Sequence, residues 1–132
     1  MQYQSNLDAS ATETLLCKDF LGKLDVGDVE RAVALCHDQA LLTVQTSSRL
    51  FAGKPAVKEM LKKMRARYAE VEHIDVRFTT DAAHGRLTAA TSMRLLSEDG
   101  TSKTLSTTYF WRFRDGRVQE IYIYSNDDAA LL

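Results

Sequence analysis

The sequence predicts an α+β chain in which three helices come first and cover a mainly antiparallel sheet. Apolar residues recur at helical spacing through the first half, and from residue 72 the period falls to two, with Ile74, Val76 and Phe78 alternating with Asp75, Arg77 and Thr79. Three glycine-bearing turns, "DAAHGR", "SEDGTS" and "RDGR", then separate four strand candidates by connections short enough for antiparallel neighbours. Burying both patterns at once calls for a curved sheet with helices on one face.

The elements follow in order. In "LDASATETLLCKDFLGKL", Leu7, Ala11, Leu15, Phe20 and Leu24 mark the apolar side of a first helix, with Asp8 or Ser10 to cap it. After "DVGD", Asp28 caps a short second helix, "VERAVALCH", whose stripe is Val29, Ala32, Val33 and Cys36; the two helices form a hairpin. "ALLTVQTSSRLFAG" reads as a strand, a polar turn and a short return strand. Gly53 and Pro55 open a third helix, with Val57, Leu61, Met64 and Tyr68 as its buried stripe.

With 132 residues, 45% hydrophobic and 27% charged, the chain has ordinary globular composition, and no linker or repeat divides it, so residues 1–132 are expected to form one domain. Seventeen basic against 18 acidic residues create no chain-wide field for nucleic acid or an anionic membrane. Cys17 and Cys36 lie in apolar patterns without CxxC or His-rich spacing, which suggests reduced core thiols, and no grouping has metal-ligand spacing. The N-terminus lacks a basic region followed by an apolar run, and no stretch is long and apolar enough to span a bilayer, so a soluble, cytoplasmic protein is expected.

The order helix-helix-strand-helix-meander, with "GD" between the first helices, "FAGKPAVKEML" entering the third and "WRFRDGRVQEIYIYSND" at the end, resembles the NTF2-like superfamily over nearly the whole chain. Within it the chain is similar to the small bacterial branch of SnoaL-type polyketide cyclases and ketosteroid isomerases. The resemblance implies an NTF2-like (cystatin-like) cone, with three helices on a curved, mixed, mainly antiparallel sheet. It also implies a pocket between the layers and a homodimer through the exposed sheet face, where outward aromatics would need a cover.

"FLGKLDVGDVERAVALCHDQALLTV" aligns with ketosteroid isomerases without a gap. The family's helix-one tyrosine falls on Phe20, its strand aspartate near Val44 and its oxyanion-binding aspartate near Tyr109. Phenylalanine donates no hydrogen bond and valine removes no proton, so steroid isomerase activity is excluded. Tyr109 keeps a phenol that can donate to a ligand carbonyl or enolate, or can satisfy itself in a core. Trp111 and Phe113 share its strand face and form either an aromatic wall or plain core. On the last strand the alignment turns Ile121, Ile123 and Ser125 toward the pocket and Tyr122 and Tyr124 outward, although alternation alone leaves both faces open. Many relatives end in aromatic-x-Asp; here "YSN" presents Asn126.

His37 and Asp38, after helix two, offer a base and carboxylate or a cap and turn, and Asp127 and Asp128 offer a carboxylate or a frayed end. His73, beside Ile74, is expected to face away from the core, and His84 to sit in a turn. The lysines and arginines of "KEMLKKMRARY" are expected on a solvated face.

The leading functional expectation is a protein binding an apolar, oxygenated small molecule, polyketide-, terpenoid- or steroid-like. As an enzyme it would carry out a cofactor-independent isomerisation, cyclisation or dehydration, with Tyr109 as donor and His37, Asp38 or Asp127 as proton carriers. The alternative is a non-catalytic dimerisation or protein-interaction module. The first expects an open concavity touching Phe20, Val44, Tyr109 and Trp111; the second expects those side chains packed together.

Overall fold

A computed structural model describes the backbone of residues 2–132 and the side chains from residue 9 onward. Helices α1 (Gln2–Asp25), α2 (Val29–Ala34) and α3 (Lys54–Ala66) lie against strands β1 (Cys36–Val44), β2 (Arg49–Ala52), β3 (Glu70–Asp81), β4 (Arg86–Leu96), β5 (Ser102–Arg114) and β6 (Arg117–Ser125). Single 3₁₀ turns at Gln45–Ser47, Ala82–His84 and Asp128–Ala130 complete the chain. The six strands form one sheet in the order β2-β1-β6-β5-β4-β3, antiparallel throughout except for the parallel pair β1–β6.

Alternation along β4 and β5 puts Leu87, Ala89, Thr91, Met93 and Leu95, then Leu105, Thr107, Tyr109 and Trp111, on the inner face, where all are buried. The helices bring Phe20, Leu21 and Leu24 of α1, Val29, Ala32 and Val33 of α2, and Val57, Met60, Leu61 and Met64 of α3 to meet them. Both cysteines are free and buried.

Several elements differ from the sequence expectation. Helix α1 begins at Gln2, so Ser10 is inside it, where its hydroxyl bonds that of Thr80 at 2.8 Å instead of capping. The side chains of Leu7 and Asp8 lie outside the described residues. The buried stripe of α1 runs through Glu13, Cys17, Phe20, Leu21 and Leu24; Ala11 and Leu15 are off it, Leu15 being 65% exposed. Helix α2 stops at Ala34, and Cys36, His37 and Asp38 open β1 instead of ending a helix.

Two bulges reset the alternation that the sequence suggests. Asp75, at φ +53°, is an extra residue in β3 between the pairs Ile74–Ser92 and Arg77–Ala90. The phase therefore slips by one, and His73 points inward together with Val76 and Phe78. In β6 the register shifts between Glu120–Arg112 and Val118–Phe113, which turns Val118 inward beside Ile121 and Ile123.

Candidate functional site

Three residues from three elements meet at the inner face. Asp25 is the last residue of α1, which ends before Gly27 at φ +84°. The carbonyls of this helix end are caught by the Arg65 guanidinium: Nε donates to Leu24 O at 3.0 Å and Nη2 to Asp25 O at 3.2 Å. Arg65 was expected on a solvated face and is instead half-buried, its third donor reaching Tyr68 O at 2.9 Å. The Asp25 carboxylate then takes both donors of one residue on β3: the His73 backbone N–H at 2.9 Å and His73 Nδ1 at 2.6 Å.

The far nitrogen of the ring, His73 Nε2, lies 2.6 Å from the Tyr109 hydroxyl. Since a carboxylate only accepts, Nδ1 carries the hydrogen toward Asp25, and in the neutral imidazole Nε2 accepts from the phenol. The result is a chain of phenol, imidazole and carboxylate whose middle member is 1% exposed and whose outer member, Asp25, is 22% exposed. Burial, followed by the nearby Asp25 charge, raises the Tyr109 phenol above its ordinary range, so the group is a hydrogen-bond donor rather than a phenolate.

Beyond Tyr109 the wall is aromatic. Its ring lies 5.7 Å from that of Trp111, which meets Phe20 edge to face at 5.1 Å. Across the sheet, Ile123 pairs with Tyr109 and Ile121 with Trp111, while Val44 lies opposite Ile123. Phe20, Val44, Tyr109, Trp111, Ile121 and Ile123 are all buried, and Phe113 and Ser125 half-buried. The wall is packed against itself, contrary to an open concavity touching Phe20, Val44, Tyr109 and Trp111. Two polar atoms on it, Trp111 Nε1 and Thr107 Oγ1, are buried without a hydrogen-bond partner among the described residues.

A cleft of about 290 Å³ lies one layer outward, between α1 and β3, walled by Leu21, Gly22, Asp25, His73, Val76 and Phe78. It shares Asp25 and His73 with the hydrogen-bonded chain. Gly22 is exposed on the wall of the cleft, and a Cβ there would meet nothing within 4 Å.

The other proton carriers considered from sequence are bonded elsewhere. His37 Nδ1 accepts from the Gln39 N–H at 3.2 Å. Asp38 is exposed and lies 3.8 Å from Lys54 Nζ. Asp127 pairs with Lys103 at 3.1 Å, and this bond, first among its causes, lowers the carboxyl below its ordinary range. His84 bonds Asp81 in its turn at 2.9 Å. Sequence reasoning missed Asp25 and His73 because the Asp75 bulge conceals the inward turn of His73. Among the described residues, no group of three or more His, Cys, Asp or Glu could hold a metal ion, and no helix is long and apolar enough to cross a membrane.

Comparison with known proteins places this architecture. The profile described as a SnoaL-like domain matches residues 18–121. A proposed polyketide cyclase from Xanthomonas campestris pv. campestris superposes with a TM-score of 0.81 at 18% identity, covering 94% of this chain and 99% of that one. An LEH-like epoxide hydrolase of M. tuberculosis superposes with a TM-score of 0.74 at 16% identity, covering 92% and 87%. A de novo designed protein with a curved β-sheet reaches 0.69 at 14% identity, covering 89% and 88%. No curated protein matches the sequence significantly. At such identities the likeness concerns the NTF2-like fold, which a designed chain also adopts, and the chemistry must be argued from side chains.

Proposed function

Because this chain belongs to the SnoaL-like domain family, we propose that it binds an apolar, oxygenated small molecule and moves protons through Asp25, His73 and Tyr109 in a cofactor-independent isomerisation, cyclisation or dehydration. The observation that carries this reading is the carboxylate–imidazole–phenol chain, buried at its imidazole and phenol and half-buried at its carboxylate, with 2.6 Å at each link of the ring. Burying such a chain costs desolvation that an all-apolar contact would avoid, and groups of this kind concentrate at reactive sites.

The roles follow from the geometry. A ligand oxygen reaching the phenol takes over the Tyr109 O–H as its hydrogen-bond donor, which frees His73 Nε2. The imidazole then removes a proton from the carbon beside that oxygen, and the Asp25 carboxylate stabilises the imidazolium so formed. Returning the proton to another carbon completes an isomerisation; giving it to a departing hydroxyl releases water and completes a dehydration. Access is through the α1–β3 cleft, whose wall includes His73 and Asp25 but not Tyr109, so the His73–Tyr109 hydrogen bond must open for a ligand to reach the phenol. The unpaired Trp111 Nε1–H and Thr107 hydroxyl on the same face suit an oxygenated ligand.

The packed wall favours a second reading, a non-catalytic dimerisation or interaction module. On the outer face of the sheet Phe110 is 36% and Tyr124 49% exposed, and Phe110 sits opposite Tyr122 across β5 and β6. One experiment separates the two. A thermal-shift screen of apolar ketones, lactones and enols is run on the wild type, Tyr109→Phe and Gly22→Leu, and sedimentation velocity on Tyr124→Lys. Hits that disappear in Gly22→Leu and weaken in Tyr109→Phe support the proton-transfer site. No hit in the library, together with dissociation of a dimer in Tyr124→Lys, replaces it with the module.

A further inference from the structure

A second recess lies away from the Asp25–His73–Tyr109 chain, between α3, β2 and the C-terminal turn. It measures about 330 Å³, at the lower end of ligand-pocket sizes, roughly 300–1,000 Å³. Its apolar lining comes from Phe51, Ala56, Met60, Met64, Leu131 and Leu132. Met60, Met64 and Leu131 belong to the buried core, so the floor is firm, while two thioether side chains give it an adaptable shape.

The rim carries three charged side chains with different standing. Lys63 and Glu59 neutralise each other at 3.0 Å on successive turns of α3. Arg49 has no carboxylate within ion-pair distance among the described residues; its guanidinium lies 5.6 Å from the centre of the Phe51 ring. An apolar recess with one uncompensated guanidinium at its edge matches a molecule with an apolar body and a single carboxylate, which the planar fork of arginine holds by two parallel hydrogen bonds.

We propose that this recess is a binding site for an amphipathic monocarboxylate, with the apolar part among Phe51, Met60, Met64 and Leu131 and the carboxylate on Arg49. It stands independently of the reaction proposed above, since it shares no residue with the Asp25–His73–Tyr109 chain or its cleft.

Octanoate serves as the probe and 1-octanol as its uncharged counterpart, titrated into protein carrying ¹³C-methyl methionine. Met60 and Met64 report the recess, and Met93, buried on the inner face of β4, reports the cone. The expected result is saturable movement of the Met60 and Met64 signals with octanoate, Met93 staying fixed, and weaker binding of octanol by about tenfold, the scale of a charge-assisted hydrogen bond. Arg49→Glu should weaken octanoate by at least about tenfold while leaving octanol unchanged. Ala56→Phe, which fills the half-buried wall of the recess, should abolish both. Equal binding of octanoate and octanol, an unaltered octanoate affinity in Arg49→Glu, or shifts confined to Met93 would each overturn the site.

Discussion

His73 owes its position to Asp75. Had β3 kept strict alternation, a residue beside Ile74 on the Val76 and Phe78 strand would face solvent; the extra residue at φ +53° turns it toward Asp25 and Tyr109. Aspartate tolerates the left-handed region better than most residues, and glycine adopts it freely. Asp75→Val should therefore lower stability by about 1–2 kcal/mol in urea unfolding, whereas Asp75→Gly should fold as the wild type does; equal destabilisation by both would show that the bulge is not held by backbone conformation. The one trace of this bulge in the sequence is an acidic residue within "HIDVRF", a composition disfavoured in strand interiors yet common on a solvated strand face. Tyr109 was legible because period two is unbroken along β5. Asp25 was not, since a carboxylate at a helix end looks the same whether it meets water or an imidazole.

The helices were legible as helices, but the faces they present were less so. In α3 the run of lysines and arginines splits by position. Lys58 and Lys62 both reach Glu30 of α2 at 2.7 Å, as expected of an exposed face, whereas Arg65 turns under α1 and closes its C-terminal end. Arg65→Ala should cost about 1–3 kcal/mol in thermal unfolding by taking away the guanidinium donor of the Asp25 carbonyl and one of the two donors on the Leu24 carbonyl, which keeps the Gly27 N–H at 3.0 Å, and Arg65→Lys should recover only part, because an ammonium lacks the fork. The bridge to Glu30 has its own pH signature. Hydrogen bonds from Lys58 and then Lys62 hold the Glu30 carboxyl down to about 2 from an ordinary 4.5. A folded-state value below the unfolded one contributes stability above pH 4.5 that is lost as pH falls toward 2. Urea midpoints measured across that window should decline less steeply in Glu30→Gln.

For the whole molecule, hydrophobic period and turn spacing carried the architecture from sequence to structure, including the helix order and the four-strand meander. The free space between layers was not legible, because composition says which residues meet and not how completely they fill the volume they enclose. That filling has a consequence in alkali. Burial raises the thiol of Cys36 from an ordinary 9.0 to about 11 and raises Cys17 and Tyr109 as well. The unfolded chain therefore loses protons first as pH climbs, and stability present below pH 9 should fall as pH passes 9 and approaches 11. Cys36→Ala should flatten the fall in urea midpoints, and an unchanged slope would exclude the thiol as its source. The pairing of β1 with β6 acts on another timescale. Leu42 lies beside Ile121, so the seam joining the early strands to the meander closes only after the chain has been made through β6. Until then β1 and β2 can pair only with each other, as a two-stranded ribbon with both edges open that is too small to persist alone, and the arrival of β6 is what shelters it.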